Sequence, residues 1–257
     1  MDYQLANTVC IVTGASRGIG RAIAQTLSEE GVRVVLVARS ADLLNTLAQS
    51  LPSESLVVPA DLRQPNAPSQ VVQAALERFG QLDGLVNNAG ATKRGDFFAL
   101  TDDDWADGFA LKFFGAMRLC RAAWPHLMAS RGSIVNISGV GGRVANADFT
   151  IGGSVNAAVL NFSKALADRG VSDGVRVNAI NPGSIATDRL KARAKTYAAE
   201  RNMDEATALS QMAQNLRVSR FGEPVEVARA VAFLLSPTNA YCQGLIMDVD
   251  GGQVRAL

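Results

Sequence analysis

The chain has little of what many protein chemistries need. It holds one histidine, His126, and three cysteines, Cys10, Cys120 and Cys242. The cysteines are odd in number and widely spaced. They form neither a metal-ligand pattern nor a disulfide framework, and so point to reduced thiols and a cytoplasmic setting. His126 follows Pro125 in "AAWPHLM" and reads as a helix-packing residue rather than a base. No bound metal is expected. The formal net charge of +1 removes any bulk electrostatic case for a nucleic acid or an acidic membrane as partner. No apolar run is long enough to span a bilayer, and the opening "MDYQLANTVCIVTG" lacks the basic-then-apolar order of a signal peptide. Internal repeats, low-complexity stretches and linkers are missing too. These absences point to a soluble cytoplasmic protein, with its 257 residues in one domain, 1–257.

What is present is an alternation. "TVCIVTG" (8–14) and "VRVVLVA" (32–38) are short, near-continuous apolar runs of the kind a buried parallel strand requires. "SLVVPA", "DGLVNN", "GSIVNIS", "VRVNAI" and "LIMDVD" repeat the type. Between them lie helical patterns, such as 68–79 and 103–130. Ile19, Ile23 and Leu27 recur four apart until Gly31 stops the first of these helices. Alternation of this sort implies right-handed crossovers, hence an α/β fold. The expectation is a parallel sheet with helices on both faces. The stretch 187–220 departs from it, being charged, alanine-rich and helical in composition, and reads as a lid-like insertion or a solvated excursion.

Between the first strand and first helix stands "TGASRGIG" (13–20), with Gly14, Gly18 and Gly20 in a G-x3-G-x-G spacing. Such glycines allow a tight turn and close backbone approach to a pyrophosphate, with a helix N-terminus aimed at its charge. Together with "DGLVNNAG" (83–90), "NPGSIAT" (181–187) and "IMDVDGG" (246–252), in this order over nearly the whole chain, the loop resembles the short-chain dehydrogenase/reductase family. The resemblance implies a single Rossmann-type, doubly wound parallel sheet of about seven strands, a dinucleotide-binding domain acting on a small molecule and assembled as a homodimer or homotetramer through its long helices. It places Ser16, Arg17 and Ile19 in the phosphate loop, and Asp61 and Leu62 at the adenine. It sets Asn87, Ala89 and Gly90 along the cofactor bed, and Pro182, Gly183, Ile185 and Thr187 at the nicotinamide.

The end of the second strand reads "VLVARS". An NAD enzyme wants a carboxylate there for the ribose 2′-hydroxyl. Ala38 is followed instead by Arg39 and Ser40, and Arg17 can reach the same corner. Two guanidinium groups around a 2′-phosphate point to NADP(H), unless both arginines are only solvated surface.

The family's ordinary members set an asparagine, a serine, a tyrosine and a lysine around the nicotinamide. "VNAAVLNFSKALA" aligns with the family's helix so that Asn156 takes the lysine position and could hold a ribose hydroxyl. Gly152 takes the tyrosine position, Gly139 the serine position and Lys112 the asparagine position. Both glycines are expected to leave the pocket enlarged, with room for a long Lys112 stem. Lys112 then either serves as proton donor or substrate anchor, or snorkels to solvent. Ser138 is a weaker candidate, since strand neighbours face opposite ways. Thr150 and Ser154 flank the vacated tyrosine position, Tyr197 could swing in from the lid, and Lys93 and Arg94 could rim the pocket. The resemblance to the family's 3-oxoacyl-thioester and ketone reductases suggests an NADP(H)-dependent oxidoreductase on a carbonyl or alcohol, with a rearranged donor. A non-catalytic NADP(H) sensor or subunit, and a non-redox enzyme on the same fold, remain open.

Overall fold

The computed structural model describes residues 2–255. Seven strands, β1 (Val9–Thr13), β2 (Arg33–Ala38), β3 (Ser55–Pro59), β4 (Gly84–Asn87), β5 (Ser133–Ile137), β6 (Arg176–Pro182) and β7 (Ile246–Val249), form one sheet in the order β3-β2-β1-β4-β5-β6-β7. Every pairing is parallel. β1, β4 and β5 are buried throughout, because helices cover both faces of the sheet.

On one face, α1 (Gly18–Glu29), α2 (Ala41–Ser50) and α9 (Pro224–Leu235) pack Ile23, Leu27, Leu44, Val227 and Val231 against Val12, Leu36 and Val135. On the other, α3 (Ala67–Phe79), α5 (Ala116–Ser130) and α6 (Thr150–Asp173) bring Val71, Leu119 and Ala167 onto Ile11, Leu85 and Ile134. Strand order reverses between β1 and β4. At such a switch point crossovers leave in opposite directions and a crevice opens beyond the strand C-termini. Thr13 and Asn88 lock its floor: the Thr13 hydroxyl accepts from the Asn88 and Ala89 amides at 2.9 and 3.0 Å, and Asn88 Nδ2 donates to the Thr13 carbonyl at 2.9 Å.

One element differs from the sequence reading. The pattern over 103–130 suggests one helix, but α4 (Asp102–Phe109) is joined to α5 by a π-helical segment, Ala110–Gly115. Periodicity cannot reveal one extra residue in a helical turn; wide turns of this kind are rare and are often found at functional sites. The insertion at 187–220 is a helical pair, α7 (Asp188–Arg201) and α8 (Glu205–Leu216), with a small core of its own around Leu190, Ala194 and Met212. Among the described residues, no helix is long and apolar enough to cross a membrane.

Candidate active site

A cleft of about 950 Å³ opens at the switch point and runs from the β1–α1 loop to the foot of α7. At one end lie Gly14, Arg17, Gly18, Ile19 and Gly20. The loop here is closely fitted: a Cβ on Gly20 would collide with the Gly14 carbonyl, so only glycine brings α1 this near the strand end. No side chain caps the start of α1, whose first N–H groups have no intrahelical partners. Free amides at a helix start suit an anion, and these lie at the loop singled out by its glycine spacing. Ala89, Gly90, Pro182, Gly183, Ile185 and Thr187 continue the cleft wall.

Arg39 and Ser40 are exposed just past the end of β2, beyond the lining of this cleft. Ser16 is half-buried and Leu62 is buried. Asp61 is half-buried and pairs with Arg63 at 3.5 Å. Asn87 sits differently from the role implied for it. Its side chain turns into the core, donating to Asn136 Oδ1 at 2.9 Å and to Cys120 Sγ at 3.2 Å, so it steadies β4 against β5 and does not line the cleft. Its neighbour Asn88, unremarked in the sequence, faces the cleft and ties the glycine loop down.

The other end holds an ammonium group. Lys112, on the π-helical segment, runs its stem past Gly90, where a Cβ would crowd it at 2.9 Å. Its Nζ donates to the Ser138 carbonyl at 2.7 Å and to Asn156 Oδ1 at 2.6 Å. The side chain therefore points inward, and the solvent-directed reading is set aside. An ammonium carries three protons, so one is left uncommitted beside the cleft. Burial, and to a lesser degree the charge of Arg189, push its pKa down from 10.5 to about 7. Desolvation penalises the charged form, and no carboxylate stands against the amine to restore it. The Ser138 hydroxyl is already spent, donating to the Asn156 carbonyl at 2.9 Å.

The glycines opposite do not leave the void expected of them. The ring of Phe149 fills the space that any side chain at Gly152 would take, and it also crowds a Cβ placed on Gly141. Gly139 sits at φ +151°, where L side chains are strained, and a Cβ there would meet Asn156 Nδ2 at 3.0 Å. The Gly139 amide donates to Asn181 Oδ1 at 3.2 Å, and Asn181 in turn donates to Asp248, which Arg143 holds at 2.6 Å. This loop is locked from β6 and β7.

Phe149 is itself covered. The Arg94 guanidinium lies 3.9 Å from its ring centroid and pairs with Asp148 at 3.0 Å. Lys93 is instead occupied with Asp104 at 2.9 Å. From α7, Arg189 donates to the Gly90 carbonyl at 3.2 Å, and Arg193 also lines the cleft. The remaining candidates fall outside it. Ser154 is exposed, Thr150 carries a buried hydroxyl without a partner, and Tyr197 packs inside the α7–α8 pair, its hydroxyl accepting from Asn215 at 3.3 Å. His126 does not reach it either. Phe149, Arg189 and Arg193 are not legible from spacing, because a loop phenylalanine and two arginines on α7 carry no local pattern.

A parallel sheet with the order 3-2-1-4-5-6-7, a glycine cradle at the switch point and a polar group beside it define a dinucleotide-dependent oxidoreductase scaffold. The chain matches the family described as enoyl-(acyl carrier protein) reductase over residues 14–253. It is 35% identical over 250 residues to a 3-oxoacyl-[acyl-carrier-protein] reductase of Vibrio cholerae, covering 97% of this chain and 98% of that one. It is also 34% identical over 255 residues to an uncharacterized oxidoreductase of Mycobacterium tuberculosis, covering 97% and 93%. Among solved structures, the L-sorbose reductase of Gluconobacter frateurii in complex with NADPH and L-sorbose superposes with a TM-score of 0.95 at 33% identity, over 100% of both chains. Levodione reductase gives 0.91 at 28% identity, over 99% of this chain and 100% of that one. The chain belongs to the short-chain dehydrogenase/reductase family.

Proposed function

We propose that this protein is an NADP(H)-dependent oxidoreductase of carbonyl or alcohol substrates in which Lys112 carries the proton that a tyrosine carries in the family's ordinary members. The observation behind this reading is the inward Lys112 ammonium, fixed between Ser138 and Asn156 and set near neutrality. The likeness to an NADPH-complexed reductase, the glycine loop, Arg17 in the cleft wall and Arg39 in place of a carboxylate just past β2 support NADP(H).

Bound NADPH supplies the hydride. The chain's part is the rest: Ile185 and Thr187 would bound the nicotinamide pocket, and Asn156 would offer its Nδ2 to the ribose. Lys112 gives a proton to the developing alkoxide. A donor near pKa 7 suits neutral pH, where a useful fraction is protonated and transfer is not strongly uphill. The ammonium also supplies electrostatic stabilisation that an ordinary asparagine at this position would not. Gly139, Gly152 and Asn156 occupy the positions of serine, tyrosine and lysine, and the Phe149 ring packs where a phenol would stand. In this reading the α7–α8 pair covers the substrate.

The test is NADPH oxidation with a panel of ketones, oxo esters and 3-oxoacyl thioesters, using the intact protein and Lys112→Ala. Turnover that Lys112→Ala removes, with NADPH affinity kept within a few-fold, supports the assignment. Tight NADPH binding without turnover of any substrate would favour a cofactor sensor, to which the packed Phe149 ring is equally suited.

A further inference from the structure

We infer that the substrate carries an oxyanion, a carboxylate or a phosphate, held by Arg94 and Arg193 at the mouth of the cleft while its carbonyl faces Lys112. The inference rests on the oxidoreductase reading for the position of the carbonyl.

Five cationic side chains line the cleft, Arg17, Arg94, Lys112, Arg189 and Arg193, against two carboxylates, Asp148 and Asp188. Arg17 stands at the glycine cradle, where cofactor phosphate would occupy it. The other four gather at the opposite end, and the contacts fix their order. Arg189 donates to Gly90, whose α-carbon abuts the Lys112 stem. The Arg94 guanidinium lies over Phe149, whose ring fills the space above Gly152. Among the described residues, Asp148 pairs only with Arg94, Asp188 forms no ion pair, and neither Arg189 nor Arg193 has a carboxylate partner. Like charges brought together in a partly desolvated cleft repel one another and call for an anion. Burial, and then the charge of Arg193, hold the Arg94 guanidinium below its ordinary range despite Asp148.

Asp148 engages Nη1 of Arg94, which leaves its Nε and Nη2 donors to meet a carboxylate or phosphate. Phe149 gives Arg94 a rigid backing, so little side-chain freedom is lost when an anion docks. A neutral ketone would leave these charges uncompensated.

Calorimetry on the NADP⁺-loaded protein tests the inference with two matched pairs: acetoacetate against its methyl ester, and dihydroxyacetone phosphate against dihydroxyacetone. The charged member of at least one pair should bind about tenfold more tightly than its neutral partner, or more so. The responding pair distinguishes carboxylate from phosphate. The preference should weaken with added salt and fall below about threefold in the double variant Arg94→Gln, Arg193→Gln. Asp148→Asn, which removes the competing carboxylate, should strengthen binding of the anion severalfold, and this variant does not depend on the double variant folding. Equal or tighter binding of the neutral members in both pairs, a preference that survives the double substitution in a folded protein, or weaker anion binding by Asp148→Asn would overturn it. Because binding is read without turnover, a protein that selects anions yet never oxidises NADPH defeats only the oxidoreductase reading. One that reduces neutral ketones without preferring anions defeats only this inference.

Discussion

The two ends of the cleft are built on different principles. At the glycine end the work is done by backbone: a turn, a close approach and the unpaired amides at the start of α1. Side chains matter there mainly by being absent. At the α7 end the work is done by side chains drawn from distant segments: Lys112 from the π-helical segment, Phe149 from the loop before α6, Arg94 from the loop after β4, and Arg189 and Arg193 from α7. A backbone device tolerates almost no change in sequence, since a single Cβ at Gly20 closes it. A side-chain device can be rebuilt around the same frame, with an amine entering from one helix as a phenol and an ammonium leave another. On the proposed function, the comparison accounts for a chain that is 35% identical to a reductase over 97% of its length and yet draws the polar groups at its reacting end from other positions.

The sharpest way to break the contrast is to remove the rebuilt donor. Lys112→Ala should lower NADPH-dependent turnover by about 10²–10⁴-fold, or roughly 3–5.5 kcal/mol of barrier, the range for losing general acid catalysis. NADPH affinity, measured by fluorescence titration, should change only a few-fold, because the glycine end is untouched.

Next in size is a stability effect. Lys112 titrates near 7 in the folded chain and near 10.5 when unfolded, so the unfolded state binds more protons between those values. Folding stability therefore rises with pH across that window, and the penalty for holding the amine is full below about pH 7. Lys112→Met should stabilise the fold at pH 6–7 by roughly 3 kcal/mol after discounting the full shift for partial exposure, seen as a higher melting temperature, with the gain fading toward pH 10. A gain that is independent of pH would show that the amine is not perturbed by its site.

Cofactor choice should respond at the glycine end. With Arg17 and Arg39 on the 2′-phosphate, NADPH should bind at least tenfold more tightly than NADH. Arg39→Asp should reverse the order, by about 1.5–3 kcal/mol for the contact removed. Equal affinities in the intact protein would remove both arginines from the phosphate.

The smallest effect is a null one. Writing the family's side chains back in, as Gly139→Ser, Gly152→Tyr and Asn156→Lys together, should give no gain in turnover. A tyrosine at 152 has no room beside the Phe149 ring, a serine at 139 is strained at φ +151°, and a lysine at 156 faces the Lys112 ammonium. Overpacking alone should lower stability by about 1–3 kcal/mol. A rise in ketone turnover would show that the loop adapts freely.

The same contrast governs what the sequence could disclose. Strand runs, the glycine loop and the insertion at 187–220 are local patterns, and each appears in the structure within a few residues of its expected bounds. Lys112 could be singled out by its position, but its inward course depends on the π-helical segment, which no periodicity shows. Asn87 and Asn88 look interchangeable in "NNAG", yet one faces the core and the other the cleft, a difference set by strand pleat at the end of β4. The packing of Phe149 against Gly152 joins positions three residues apart across the start of a helix. Deleting two side chains suggests a void, and only the packed structure shows a third side chain filling it.

The central claim is that the proton at the reacting end belongs to Lys112. The most direct measurement is the pH dependence of single-turnover NADPH oxidation, with substrate saturating, for the intact protein and for Lys112→Ala. Lys112 must be protonated to give its proton, so the rate for the intact protein should hold at low pH and fall tenfold per pH unit once pH passes about 7. The rate for Lys112→Ala should be low throughout and lack that inflection. A rate that stays level through pH 9, or an inflection near 7 that survives in Lys112→Ala, would contradict the account.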